Sequence, residues 1–183
     1  MQQFIREVRG IRFLYINCLT IKKPTEIYRL IYSHLLLSCS DENERPKGVK
    51  SSDIERILPK IKKHQFIIID EFDFLVTKDE DVLYNLFEWS SQTSNLLAYI
   101  TISNTFDLPS KFGTKINSRM GDERLFFKPY SQEKIREVVA DRLAGSPYFS
   151  SSSILFASKK LAQYSSDIRI ILSVLKEAFR HHL

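Results

Sequence analysis

At 183 residues, 43% of them hydrophobic and 27% charged, the chain suffices for one domain, or one with a small appendage, and is too apolar for disorder. No run of roughly eighteen apolar residues is present to span a bilayer, and Met1-Gln2-Gln3-Phe4-Ile5-Arg6-Glu7 lacks the apolar centre of a secretory signal, so a soluble intracellular protein is expected. The formal charge of +5 favours polyanionic partners only mildly, while Cys18, Cys39, His34, His64, His181 and His182 show neither disulfide-framework nor metal-ligand spacing and predict reduced, packed thiols.

In chain order, residues 11–17 form the first apolar, β-rich run. Pro24 then opens a helix with Ile27, Leu30, Ile31 and Leu35 on one face. Residues 38–50, rich in charge and turn formers, predict an exposed loop, and residues 52–63 a second helix. The basic cluster Lys60-Ile61-Lys62-Lys63-His64 reads as the solvated end of that helix, with nucleic-acid contact the less favoured alternative. Further β-rich runs occur at residues 66–70, 96–103 and 125–127, alternating with helical patterns as βαβ units around a parallel sheet require. Beyond Pro129 only helical periodicity remains. Ser131 is placed to cap a helix with Ile135, Val138, Val139 and Leu143 as its stripe, and Gly145-Ser146-Pro147 and residues 150–153 punctuate the chain before the last helix. In that last helix Ile168, Ile171, Leu172, Leu175, Ala178 and Phe179 fall on one face. The architecture expected is an α/β base over residues 1–128 and a three-helix lid over residues 129–183.

Chemistry concentrates in Phe66-Ile67-Ile68-Ile69-Asp70-Glu71-Phe72-Asp73, where a buried strand runs directly into acids. Ligands of parallel α/β sheets gather at that strand end, and in P-loop ATPases the first acid holds Mg²⁺ while the second orients or deprotonates the attacking water. Asp70 and Glu71 read as such a Walker B pair; a strand ending in solvated acids has the same pattern. Asn104 ends the next strand at the same edge, where an amide can hold water against a phosphate or simply cap the turn before Pro109. Arg119 beside Gly121, and Arg169 at the start of the last helix, add guanidinium groups that are weak signals singly.

Taken in order, these segments resemble the AAA+ ATPases of the initiator clade. The segment from Asp81 to Trp89, Ser103-Asn104-Thr105-Phe106-Asp107-Leu108-Pro109 and Asn117-Ser118-Arg119-Met120-Gly121 look most like the origin recognition complex subunit 1 family, ahead of the paralogous cell division cycle protein 6 type. The resemblance implies Asp70 as the water-mediated Mg²⁺ ligand, Glu71 as the catalytic acid, Asn104 as sensor 1, Arg119 as a finger toward a neighbouring subunit's ATP, and Arg169 as sensor 2. Ser166 departs from the family's usual Gly before the Asp-x-Arg triplet. It further implies a nuclear protein that binds double-stranded origin DNA with other complex subunits and helicase-loading factors. Lys22 and Lys23, after the second strand of the family, are weak DNA-contact candidates.

No Gly-x-x-x-x-Gly-Lys-Ser/Thr occurs in the chain, and Gly10, Gly48, Gly113, Gly121 and Gly145 are scattered singly. By the resemblance, residues 1–9 would be the helix that comes after the P-loop, so the first strand and P-loop would lie upstream. The fold implied is a partial AAA+ base lacking that strand. ATP binding by these residues alone is then expected to be weak or absent, and a non-catalytic scaffold subunit is the alternative reading.

Overall fold

The structure, a computed structural model, describes residues 4–8, 10–37, 48–93, 96–121, 123–143, 148, 150–164 and 167–180, in two compact units, Met1–Asp122 and Glu123–Leu183. The first unit is built on a sheet of order β1-β2-β3-β4: β1 (Phe4–Val8), β2 (Ile11–Asn17), β3 (His64–Asp70) and β4 (Leu97–Thr101). β2, β3 and β4 run parallel, with Asn17 opposite Asp70 and Ile69 opposite Thr101.

Because strand side chains alternate, Leu14, Ile16, Ile67, Ile69 and Leu97 fall on one buried face, while Phe13, Tyr15, Phe66 and Ile68 share the other, half-buried one. Parallel neighbours need crossovers, supplied here by α1 (Glu26–Leu36) with α2 (Ser51–Ile57), and by α3 (Asp81–Gln92). Their apolar stripes join the buried strand face in one core. Ile27, Leu30, Ile31 and Leu35, the face expected of the first helix, are all buried there, and Trp89 meets Tyr28 edge-on at 5.5 Å. A short helix, α4 (Thr114–Met120), packs against α3.

Several expectations change. Residues 4–8 form a strand antiparallel to β2, not a helix after a phosphate loop. The cause is local: Val8 pairs with Ile11, and Gly10, just before Ile11, adopts φ 80°, a geometry that favours glycine at the start of β2. The second helix stops at Ile57, because Pro59 has no N–H for a helical bond and the chain tightens into a 3-10 turn over Leu58–Lys60. Regular pairing of β4 ends at Thr101, although Ile102 still donates to the Ile69 carbonyl at 2.8 Å. Residues 125–127 are not a strand. They carry strand composition, but pairing makes a strand, and Leu125 and Phe127 stand 80% and 89% exposed in an irregular segment.

The second unit holds α5 (Gln132–Leu143), α6 (Ser151–Tyr164) and α7 (Ile168–Arg180). Ile135, Val139, Ile171 and Leu175 form its core, flanked by Leu143, Ile154, Ala157 and Ile168. Ser131 caps α5 by accepting the Lys134 N–H at 3.3 Å, and Ser150 caps α6 by accepting that of Ser153 at 3.1 Å. Of the loop expected over residues 38–50, residues 38–47 lie outside the described residues, as do Gly145-Ser146-Pro147, Cys39, Ser166, His181 and His182. Among the described residues no helix is long and apolar enough to cross a membrane.

Candidate active site

The carboxyl ends of three parallel strands converge, and β3 ends in acid. Asp70 is half-buried; its Oδ2 accepts the Tyr15 hydroxyl from β2 at 2.5 Å and its Oδ1 accepts the Glu71 N–H at 2.9 Å. That bond to Asp70, with burial, holds the Tyr15 pKa above its ordinary value. The chain then turns sharply. Glu71 takes φ 54° and ψ 44°, the left-handed region, which costs a side chain with Cβ about 1 kcal/mol or more. Its surroundings enforce the conformation: the next N–H, of Phe72, donates to the Ile102 carbonyl at 2.9 Å, and the buried Phe72 ring packs against Phe87 and Phe112.

This turn aims the Glu71 carboxylate at the loop after β4, where Asn104 Nδ2 donates to Glu71 Oε2 at 2.9 Å. Asp73, in the one-turn segment Phe72–Leu75, holds that loop from below by accepting the Ser103 hydroxyl and the Asn104 N–H, each at 3.0 Å. Cys18 lies close by: burial first, then the charges of Asp70 and Glu71, push its thiol pKa up to about 12, so it stays protonated.

Three of the residues expected in the site, Asp70, Glu71 and Asn104, are thus in one hydrogen-bonded group. Arg119 is engaged elsewhere in the first unit. Its Nε donates to Glu88 Oε2 at 2.5 Å, its Nη1 to the Lys115 carbonyl at 3.1 Å, and its guanidinium lies 4.8 Å from the Tyr84 ring centre. Hydrogen bonding to Arg119 holds the Glu88 pKa below the usual range. Arg169 belongs to the second unit, where it forks onto the Asp167 carboxylate at 3.0–3.3 Å with its side chain 88% exposed.

Sequence reasoning missed Tyr15, Asp73 and Glu88 as partners. Tyr15 was traceable, since Phe13, Tyr15 and Asn17 must share a face with Asp70 once β2 and β3 pair in register. Asp73 stood in the acidic run itself, but which loop it would meet depends on the fold. The donors suit a magnesium ion, a hard cation that keeps several waters and takes one or two carboxylates. No group of three metal-ligating side chains occurs among the described residues.

No protein-family profile matches the chain. Its backbone is similar to the Aeropyrum pernix Orc1 protein solved in complex with DNA, with TM-score 0.72 and 19% identity over 93% of this chain and 46% of that one. It is also similar to Cdc6p from Pyrobaculum aerophilum, with TM-score 0.69 and 17% identity over 91% of this chain and 46% of that one. The fold is therefore that of the Orc1/Cdc6 class of AAA+ proteins, a mixed α/β base and a helical unit.

Sequence similarity is narrower. The chain is 35% identical over 175 residues to the origin of replication complex subunit 1B of Arabidopsis thaliana, covering 91% of this chain and 21% of the relative. Origin recognition complex subunit 1 is matched at 33% in Dictyostelium discoideum, over 91% of this chain and 27% of that protein, and at 31% in Drosophila melanogaster, over 94% and 18%. Over the segment they share, the chain is a homologue of origin recognition complex subunit 1, and it spans about a fifth of the length of the first of these relatives.

Proposed function

We propose that this chain is the ATP-responsive segment of an origin recognition complex subunit 1-like protein, acting in the nucleus in the initiation of DNA replication. The observation that carries the reading is the Asn104–Glu71 hydrogen bond, set beside Asp70 at the carboxyl end of β3. Asp70 would hold Mg²⁺ through water, and the ion, when bound, neutralises charge on the phosphates. Glu71 receives the proton of the attacking water. Asn104 keeps the Glu71 carboxylate turned toward that water, and general-base help of this kind contributes about 10²- to 10⁴-fold.

The phosphates need a cradle of backbone N–H groups and a lysine, and no Gly-x-x-x-x-Gly-Lys-Ser/Thr loop of the kind that supplies them occurs in the sequence. The chain by itself is therefore expected to bind Mg²⁺-ATP weakly, and tight binding by calorimetry would contradict that. Arg119, once released from Glu88, would reach a neighbouring subunit's ATP, and Arg169 would couple the helical unit to nucleotide through contacts that differ between two states. The relatives' names support membership of an origin recognition complex and contact with DNA; the partners proposed on that basis are double-stranded DNA, other subunits of the complex and helicase-loading factors. Asp70→Ala, made in the longest form of the protein that carries a phosphate loop, is expected to impair Mg²⁺-nucleotide binding. Undiminished ATP binding and turnover would reject the assignment.

A further inference from the structure

We infer that Asp73 is a positioning residue for the hydrolytic pair and acts through Asn104, an inference that rests on the ATPase reading above. The Asp73 carboxylate joins two segments. Its Oδ2 accepts the Asn104 backbone N–H at 3.0 Å, its Oδ1 accepts the Ser103 hydroxyl at 3.0 Å, and the Thr105 side chain adds a further hydrogen bond. Three consecutive residues of the loop after β4 are held by one acid.

That acid also sits two residues after Glu71, in the turn whose N–H groups are already fixed to Ile102 and Asp70. A closed circuit results: Asp73 holds the backbone of Asn104, and the side chain of Asn104 returns to Glu71 at 2.9 Å. The circuit matters because a glutamate side chain has several rotatable bonds. Asn104 can restrain the Glu71 carboxylate only if its own backbone is restrained. Ser103 and Asn104 are exposed and lie beyond the last sheet bond, at Ile102, so the apolar core does not hold them. Asp73 does. An ionised carboxylate offers two acceptor oxygens, whereas an amide of the same size offers one, so Asp73→Asn can no longer accept the Ser103 O–H and the Asn104 N–H on separate oxygens. Burial favours the protonated acid, but the hydrogen bonds from Thr105, Asn104 and Ser103 prevail and lower the Asp73 pKa, keeping it ionised near neutrality.

The test is a double-mutant cycle between Asp73→Asn and Asn104→Ala in the longest form of the protein that carries a phosphate loop, alongside NMR of the ligand-free protein. Asp73→Asn is expected to lower kcat about tenfold or more with KM for Mg²⁺-ATP within about twofold, and the double variant is expected to be no slower than Asn104→Ala alone. The Asn104 side-chain amide resonances, shifted by the Glu71 carboxylate, are expected to move in Asp73→Asn toward their position in Glu71→Gln. Losses that multiply, or resonances that stay in place, overturn the inference. If Asp73→Asn does not fold, Ser103→Ala, at an exposed position, should produce a smaller resonance shift of the same sign, and none at all overturns the inference equally. Turnover that Asn104→Ala leaves unchanged overturns the ATPase reading instead, while the resonances still decide whether Asp73 sets the position of Asn104.

Discussion

Glu71 is the one catalytic candidate that holds a backbone conformation disfavoured for every residue but glycine. Glycine usually destabilises a folded chain relative to alanine; here the order reverses. Glu71→Gly is expected to be more stable than Glu71→Ala by about 1 kcal/mol in chemical denaturation, since both lack the bond to Asn104 and only alanine keeps the strain. Equal stability, or alanine ahead, would remove strain from the account. His34, buried on α1, carries a second prediction. Burial first, then the charge of Arg12, push its pKa from 6.5 down to about 4. As pH falls through 6.5 the unfolded chain takes up a proton that the folded chain refuses, so stability is full above that pH and declines toward pH 4. The loss amounts to about 3 kcal/mol, and His34→Leu should flatten that part of the profile. At this scale the sequence revealed the charged residues but not their partners. Asp70, Glu71 and Asn104 could be read because each ends an apolar run, whereas the contacts from Tyr15, Asp73 and Glu88 are made across 30 or more residues, as in Ser103 to Asp73, and exist only after folding.

Among the elements, those with strong internal periodicity were the legible ones. The stripe of α1 follows the 3.6-residue repeat, as do Ile168, Ile171 and Leu175 of α7, although Ala178 of the expected α7 face is exposed; β2 and β3 are apolar runs that end in polar residues. Elements set by a neighbour or a single turn were not. β1 is set by its pairing with β2, where Gly10 takes its positive φ just before Ile11, and residues 125–127 fail as a strand although their composition suits one. Gly10→Val is expected to cost about 1 kcal/mol through the backbone alone, because nothing lies within 4 Å of an added Cβ. A melt unchanged by that substitution would contradict the hairpin. In the second unit, Leu175→Ala is expected to cost about 3 kcal/mol, as Leu175 is buried against Ile135, Val139 and Ile171.

For the whole molecule, the acid–amide group lies in the first compact unit and Arg169 in the second. If the assembled protein holds DNA through backbone phosphates, its affinity should fall steeply with salt, and binding insensitive to salt would speak against that mode. The functional reading depends most on the acids at the end of β3 being hydrolytic rather than merely solvated. The most direct measurement is single-turnover hydrolysis of Mg²⁺-ATP by Glu71→Gln and by wild type, in the longest form of the protein that carries a phosphate loop, with nucleotide binding measured in parallel. Hydrolysis slowed about 100-fold or more, with binding within about threefold, is the expected result. A wild type and variant that turn over ATP at the same rate would contradict it.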